Sequence, residues 1–168
     1  MFWTVKIAGV AGTGKTTVME GLRATPGFVG DTIIYSDLLR EYGEKDLVDL
    51  KLTDMLNATN GLVLMDDHLE FDNPNKTRNY LLENTRGLVL LDVPLRHLVS
   101  RVSSDTTRTR DIHPREMSRN LQLSRQKAMQ LSHETKVPLL VIPNLEGEVR
   151  RSIALIAAFV LTNSPESC

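Results

Sequence analysis

The chain has 168 residues, which suits a single domain with a substantial hydrophobic core. Its composition is 41% hydrophobic and 24% charged with a net charge of −1, which is ordinary for a globular protein and gives no overall reason to expect nucleic acid as a partner. The single cysteine, Cys168, excludes an intramolecular disulfide, and the chain shows neither room for a signal peptide nor a run of apolar residues long enough for a membrane span, so we expect a cytoplasmic protein.

Short apolar runs alternate with segments that suit helices, which is typical of a parallel sheet with crossover helices. The predicted strands are residues 4–8, 32–35, 62–65, 88–92 and 139–142. The predicted helices are residues 15–24, 36–41, 45–58, 76–83, 95–102, 114–136 and 146–161. Because the strand runs are apolar on both faces, we expect a three-layer α/β sandwich whose five-stranded parallel sheet has helices on both sides. We expect residues 1–161 to form one domain and residues 162–168 a flexible tail.

The first predicted strand leads into a glycine-rich loop. Residues 9–16 read G-V-A-G-T-G-K-T and match the phosphate-loop pattern G-x-x-x-x-G-K-[ST], directly before a predicted helix. Glycines let backbone N–H groups converge on a triphosphate, and the helix N-terminus adds partial positive charge. The sequence therefore predicts binding of a nucleoside triphosphate such as ATP. The residues predicted to hold it are Gly9, Ala11, Gly12, Thr13, Gly14, Lys15, Thr16 and Thr17.

Magnesium is the predicted second component of this site. Lys15 should reach the β- and γ-phosphates, and the Thr16 hydroxyl should be a ligand of Mg²⁺. The third predicted strand runs into Asp66, which we expect to serve the metal through water, with Asp67 as the alternative carboxylate. An acid at this place is also typical of a helix cap or a loop. His68 follows, either as a hydrogen-bonded structural residue or as a group that positions a water or the acceptor phosphate.

The stretch from Arg96 to Lys127 is rich in arginine. Within it, the polar segment 104–111 has the composition of a short mobile loop that could close over phosphates and exclude water. Arg108 and Arg110 in this segment could place positive charge on the oxygens in transit. The stretch contains no aromatic residue to stack on bases, which argues against a nucleic-acid surface. A solvated basic face is the alternative for its other arginines.

Several segments resemble the adenylate kinase superfamily of nucleoside monophosphate kinases. Residues 35–41, Y-S-D-L-L-R-E, resemble the segment of those enzymes that binds the acceptor phosphate, which implies acceptor binding by Arg40 with Asp37 beside it. A helix cap is a sufficient structural explanation for Asp37. Residues 91–94, L-D-V-P, and the helix after them resemble the fourth strand and following helix of the family. By that resemblance Arg101 packs on adenine and approaches the phosphates.

The segment S-D-T-T-R-T-R-D, residues 104–111, resembles the compact lid of archaeal-type adenylate kinases, which implies catalytic arginines at Arg108 and Arg110. The D-x-H of residues 66–68 is similar to the third-strand motif of that group and of related ATPases tied to ribosome assembly. The resemblance implies an acceptor arm at about residues 36–60 and a lid at about residues 103–112. The sequence departs from the family at Ser36, where those enzymes have glycine, and after Asp66, where it lacks the arginine with which bacterial adenylate kinases bind the acceptor phosphate. The segment between Arg40 and Gly61 is also short for an acceptor-binding arm.

These features predict an ATP- and Mg²⁺-dependent kinase whose acceptor is a nucleoside monophosphate, most simply AMP. In this scheme the catalytic residues are Lys15, His68, Arg101, Arg108 and Arg110. Two alternatives stay open. The acceptor could be a small molecule other than a nucleotide, or the protein could be an ATP-driven switch that binds a protein or ribonucleoprotein partner.

Overall fold

The computed structural model describes residues 1–67, 83–105 and 113–165, and these residues form a parallel sheet between two layers of helices. The sheet has five strands in the order β2-β3-β1-β4-β5, and every neighbouring pair is parallel. The strands are β1 (Phe2–Ala8), β2 (Asp31–Ile33), β3 (Gly61–Asp67), β4 (Thr85–Leu91) and β5 (Leu139–Ile142).

Helices connect the strands and cover both faces of the sheet. In the described residues they are α1 (Lys15–Arg23), α2 (Tyr35–Tyr42), α3 (Lys45–Ala58), α4 (Leu95–Ser104), α5 (Pro114–Thr135) and α6 (Val149–Thr162). None of them is both long enough and apolar enough to cross a lipid bilayer.

One face of the sheet packs against α1 and α6. Alternate residues of the central strands point to this face, as the two-residue period of a strand requires. Val5 and Ile7 of β1 lie there with Met19 of α1 and Ile156 of α6, and all four side chains are fully buried. This cluster joins the helix that follows β1 to the last helix of the chain.

The opposite face packs against α3 and α5. The other set of alternate residues, such as Met65 of β3, meets the buried Leu52 and Leu56 of α3. Farther along the sheet, Ala8 and Leu90 meet Ala128 of α5. The predicted fold class is therefore confirmed, because apolar strands with helices on both faces form a five-stranded parallel sheet.

The observed elements differ from the predicted ones mainly at their ends. Strand β2 ends at Ile33 and helix α2 begins at Tyr35, whereas the sequence predicted a strand through residue 35. Helix α6 begins at Val149, three residues later than predicted, because Gly147 has φ +79°, which interrupts a helix. The predicted helix 76–83 lies largely outside the described residues.

Parallel pairing brings the carboxyl ends of the strands to one edge. Ala8, the last residue of β1, pairs with Asp67 on one side and with Leu90 on the other. Leu91 pairs with Ile142 at the end of β5. The segments that leave β1, β3, β4 and β5 therefore start beside one another, at the edge where open α/β sheets bind ligands.

Candidate functional site

The phosphate loop connects β1 to α1 and has backbone angles that favour glycine. Gly9, Gly12 and Gly14 have φ of +152°, +88° and +90°. Gly14 is the N-cap of α1 and has no side chain to cap the helix, and the first turn of α1 contains no acidic residue. No carboxylate in the first turn of α1 therefore neutralises the partial positive charge of this helix end, which favours binding of an anionic ligand there.

Lys15 begins α1 and turns back over the loop. Its Nζ donates to the carbonyl oxygen of Gly9 at 2.6 Å and lies 3.4 Å from that of Val10. The residue is only 8% exposed. These contacts hold the ammonium group against the loop, next to the N-terminus of α1, and its role toward phosphates stays a prediction.

The carbonyl oxygen of Thr13 is held by two side chains from distant parts of the chain. Asn144 donates to it from Nδ2 at 2.7 Å, and Arg101 donates from Nη1 at 3.3 Å. Arg101 also donates from Nη2 to the carbonyl oxygen of Asn144 at 2.6 Å. Thr13 itself is fully buried and donates from Oγ1 to the carbonyl oxygen of Val10. We call this arrangement of Thr13, Asn144 and Arg101 the Thr13 clamp.

The clamp determines the direction of a donor in the phosphate loop. A trans peptide is planar, so its N–H points away from its C=O. Because the Thr13 carbonyl points to Asn144 and Arg101, the N–H of Gly14 in the same peptide points away from both side chains. Gly14 also needs its small size here, since a Cβ on it would lie 2.8 Å from Nδ2 of Asn144.

Asn144 lies two residues after β5, and its environment is unusual for an asparagine. It is 1% exposed with φ +39°, and in the described part of the chain its Oδ1 is a buried acceptor without a hydrogen-bond partner. An unsatisfied buried acceptor costs about 1–3 kcal/mol. The side-chain amide offsets part of this cost through the hydrogen bond that its Nδ2 donates to the carbonyl oxygen of Thr13.

Asp66 lies near the end of β3, beside Ile7 of β1, and is 3% exposed. Its Oδ1 accepts a hydrogen bond from the backbone N–H of Tyr35, the first residue of α2, at 2.5 Å. The carboxylate therefore caps α2, which is the structural alternative that the sequence allowed. A second role for Asp66, toward Mg²⁺, stays a prediction.

The residues present fit a magnesium ion that arrives with ATP. In residues 1–67, 83–105 and 113–165, no cluster of three or more His, Cys, Asp or Glu side chains forms a metal site in advance. Mg²⁺ is commonly held by one or two protein groups together with substrate phosphates and waters. Thr16 is exposed in the first turn of α1, and Asp66 lies on the strand next to β1, so both lie at the edge where the phosphate loop begins.

The predicted acceptor residues Asp37 and Arg40 lie together on α2. Arg40 Nη2 is 3.1 Å from Asp37 Oδ1, one turn apart on the helix, and their side chains are 65% and 53% exposed. A contact between two such exposed side chains is weak, so it leaves Arg40 able to exchange its partner for a ligand.

A further ion pair lies at the same edge of the sheet. Asp92 directly follows β4, and Arg125 of α5 donates from Nε to its Oδ1 at 2.7 Å and to its Oδ2 at 2.8 Å. The sequence allowed Arg125 to be part of a solvated basic face, whereas the structure attaches it to the end of β4. This pair and Asn144 are the two features of the site that sequence reasoning missed.

The remaining predicted site residues are either outside the described residues or exposed near the phosphate loop. His68, Arg108 and Arg110 lie outside the described residues. Ala11 and Thr17 are exposed residues of the loop and of the first turn of α1. A cavity of about 440 Å³ borders the start of the loop at Val10 and Ala11 and extends toward the first turns of α5. Open space therefore adjoins the phosphate loop.

Comparison with known proteins gives matches in structure. No protein-family model matches the sequence, and no curated protein matches it. The shikimate kinase of Acinetobacter baumannii in complex with shikimate is similar, with a TM-score of 0.64 and 20% identity over 97% of this chain and 95% of that one. The shikimate kinase of Bacteroides thetaiotaomicron has a TM-score of 0.59 and 13% identity over 95% of this chain and 98% of that one.

The deoxyadenosine kinase of M. mycoides, solved with dCMP and a flexible dCDP, has a TM-score of 0.61 and 14% identity over 95% of this chain and 100% of that one. At these identities the likeness establishes the fold, which is that of P-loop kinases. The predicted P-loop kinase-like fold is thus confirmed, and membership of the adenylate kinase superfamily stays a prediction. The likeness of the lid to archaeal-type adenylate kinases stays a prediction.

Proposed function

We propose that the protein is an ATP- and Mg²⁺-dependent kinase that transfers the γ-phosphoryl group of ATP to a nucleoside monophosphate, with AMP as the first candidate. The observation that carries this proposal is the Thr13 clamp on a complete phosphate loop. Two side chains from α4 and from the segment after β5 orient the Thr13–Gly14 peptide, while Lys15 lies against the same loop. An arrangement of this kind suits a polyanion that needs several donors at once.

Each residue of the loop has a distinct part in the proposed reaction. The N–H groups of residues 12–17 would bind the β- and γ-phosphate oxygens, and Lys15 would exchange the Gly9 carbonyl for them. Thr16 and Asp66 would hold Mg²⁺, Asp66 through water, and the ion would neutralise charge on the same oxygens. Phosphoryl transfer depends on position and charge more than on covalent chemistry of the protein.

The arginines would act on the charge that develops in the transition state. Arg101 already lies between the phosphate loop and the segment after β5, which is where the nucleotide would contact it. Arg108 and Arg110 are proposed from the sequence as the groups that cover the transferred phosphoryl. Asp37 in the first turn of α2 and Arg40 in its last turn are proposed to face the acceptor. His68 is proposed to position the acceptor phosphate or a water.

A second candidate is a kinase with an acceptor other than a nucleotide. It is favoured by the absence of an arginine after Asp66, and by the structural likeness to a shikimate kinase that binds shikimate. The third-strand D-x-H pattern keeps a partner-coupled ATPase as the remaining alternative. All three functions use the same phosphate loop and differ in where the γ-phosphoryl group goes.

The test is ADP release from MgATP, measured alone and with AMP, CMP, UMP, GMP, dTMP or shikimate. We expect strong stimulation by one of the nucleotides. Stimulation by shikimate alone would replace the nucleotide acceptor with the second candidate. Slow release that none of the six compounds changes, and that His68→Ala abolishes, would contradict the kinase and support the ATPase.

A further inference from the structure

Arg125 occupies an unusual place on α5. Leu121, Ala128 and Leu131 lie on the side of this helix that packs inward, and they are 5%, 0% and 5% exposed. Arg125 falls between Leu121 and Ala128 at helical spacing, so it interrupts an apolar stripe on the sheet-facing side. Its side chain is nevertheless 50% exposed. The inward-facing side of α5 is therefore open to solvent at Arg125.

That open space lies at the start of the phosphate loop. Ala128, one turn beyond Arg125, packs with Ala8, the residue that precedes the loop. Arg125 donates to Asp92, which directly follows Leu91. Leu91 lies against the first residue of the phosphate loop, since a Cβ placed on Gly9 would be 3.0 Å from the carbonyl oxygen of Leu91. Arg125 therefore lies at the carboxyl edge of the sheet, on the same face as α3 and next to the strand that leads into the phosphate loop.

Asp92 orients the guanidinium group without using all of its donors. Both contacts use Nε, and in the described part of the chain Nη1 and Nη2 of Arg125 have no hydrogen-bond partner. A guanidinium group is planar and carries five N–H donors in a rigid fork. With Nε on Asp92, the four N–H groups of the two terminal nitrogens are left for a planar or tetrahedral oxyanion, which arginine binds with two donors at once.

Stability alone gives a weak reason for this pair. The side chains are 50% and 18% exposed, and exposed ion pairs contribute little to folding. An apolar residue in place of Arg125 would continue the stripe from Leu121 to Ala128 and bury more surface. A ligand on the free side of the guanidinium group would explain the arginine.

We propose that Arg125 is an acceptor-binding residue that takes the oxyanion of the acceptor substrate, and that Asp92 is the positioning residue that orients it. This inference rests on the proposed kinase function. It makes Arg125 a second cationic residue for the acceptor, in addition to Arg40. The ligand chemistry is an oxyanion on a small molecule. A nucleotide supplies it as a phosphate monoester, and a sugar acid supplies it as a carboxylate.

The experiment uses the full chain and four variants. Arg125→Gln removes the charge, Arg125→Lys keeps the charge but removes the fork, and Asp92→Asn weakens the orienting contact. Arg119→Gln is the matched control, since Arg119 is another exposed arginine of α5, six residues before Arg125. For each protein we would measure KM and kcat for the acceptor, the Kd of MgATP by calorimetry, and thermal unfolding. The acceptor arms are the nucleoside monophosphates and shikimate.

We expect Arg125→Gln to raise the acceptor KM roughly 10- to 100-fold, as loss of charge-assisted hydrogen bonds does, with the Kd of MgATP unchanged. Arg125→Lys should recover only part of this loss, and Asp92→Asn should raise the KM less than Arg125→Gln does. A raised KM for a nucleoside monophosphate would identify the bound oxyanion as a phosphate, and a raised KM for shikimate would identify it as a carboxylate. Arg119→Gln should change none of these values.

Two outcomes would overturn the assignment, and they are distinguishable. A wild-type protein that binds MgATP and turns over an acceptor, with the same KM in folded Arg125→Gln, overturns the role of Arg125 and leaves the kinase intact. A wild-type protein that does not bind MgATP overturns the proposed function and this inference together.

Discussion

The side-chain amide of Asn144 donates to the carbonyl oxygen of Thr13 at 2.7 Å, across 131 residues of sequence. This bond attaches the segment after β5 to the middle of the phosphate loop. Because the Thr13–Gly14 peptide is planar, the bond also sets the direction of the Gly14 N–H. Nucleotide affinity should therefore depend on a residue far from the phosphate-loop sequence.

Asn144→Gly should weaken MgATP binding about tenfold while the protein stays folded. Glycine accepts the φ of +39° at this position, so the change removes the hydrogen bond without adding backbone strain. Asn144→Asp should weaken binding further, because it replaces the donor with a carboxylate beside the Thr13 carbonyl. Calorimetric titration with MgATP measures both effects.

Lys136→Gly is the control for this pair of variants. Lys136 also has a positive φ, +61°, but it lies at the C-terminal end of α5. We expect its MgATP affinity to equal that of the wild type. Equal affinity in folded Asn144→Gly would show that the Thr13 clamp does not matter for the nucleotide.

Gly14→Ala should abolish measurable MgATP binding. The new Cβ would lie 2.8 Å from Nδ2 of Asn144, at a φ of +90°, so the clamp or the loop must move. Gly27→Ala gives the comparison, because Gly27 has a φ of +80° and nothing within 4 Å of its Cβ position. That variant should lose about 1–2 kcal/mol of unfolding free energy from left-handed strain and keep its nucleotide affinity. If both variants bound MgATP equally well, the clash would be unimportant.

Asp66→Asn separates the two roles of Asp66. Asparagine also accepts a hydrogen bond at a helix N-terminus, so the contact with Tyr35 and the melting temperature should change little. Loss of the negative charge should raise the Mg²⁺ concentration needed for half-maximal activity by roughly tenfold or more. An unchanged Mg²⁺ requirement would assign Asp66 to the cap of α2 alone.

Arg108→Ala and Arg110→Ala should lower kcat far more than they weaken ATP binding. Loss of a contact made in the transition state costs roughly 3 kcal/mol, or on the order of 10²-fold in rate. Steady-state kinetics combined with MgATP titration separates the two quantities. Equal losses in binding and turnover would contradict a catalytic lid.

Much of the fold could be predicted from the sequence because its signals are local. Short runs that are apolar on both faces predicted all five strands, and helix α3 has the predicted bounds, Lys45–Ala58. The end of β2 could not be predicted, since Tyr35 joins α2 when its N–H is bound by Asp66, 31 residues away. Short-range propensity contains no information on such a contact.

The site residues likewise fall into those with a local sequence signal and those defined by contacts between distant parts of the chain. The phosphate loop and Arg101 were predicted from a contiguous pattern and from a resemblance. Asn144 and Arg125 were missed because their partners, Thr13 and Asp92, are 131 and 33 residues away and meet them only when the strands pair. The only local signals were a polar residue just after a strand and an arginine within an apolar helical stripe.

The most direct test of the central claim follows the γ-phosphoryl group itself. ATP labelled with ¹⁸O in the γ-phosphate would be incubated with the protein, Mg²⁺ and the acceptor panel, and the products analysed by mass spectrometry. The account predicts the label in a phosphorylated nucleotide, for AMP in the β-phosphate of ADP, and little in inorganic phosphate. Label found only in inorganic phosphate, at the same rate with every acceptor, would contradict it.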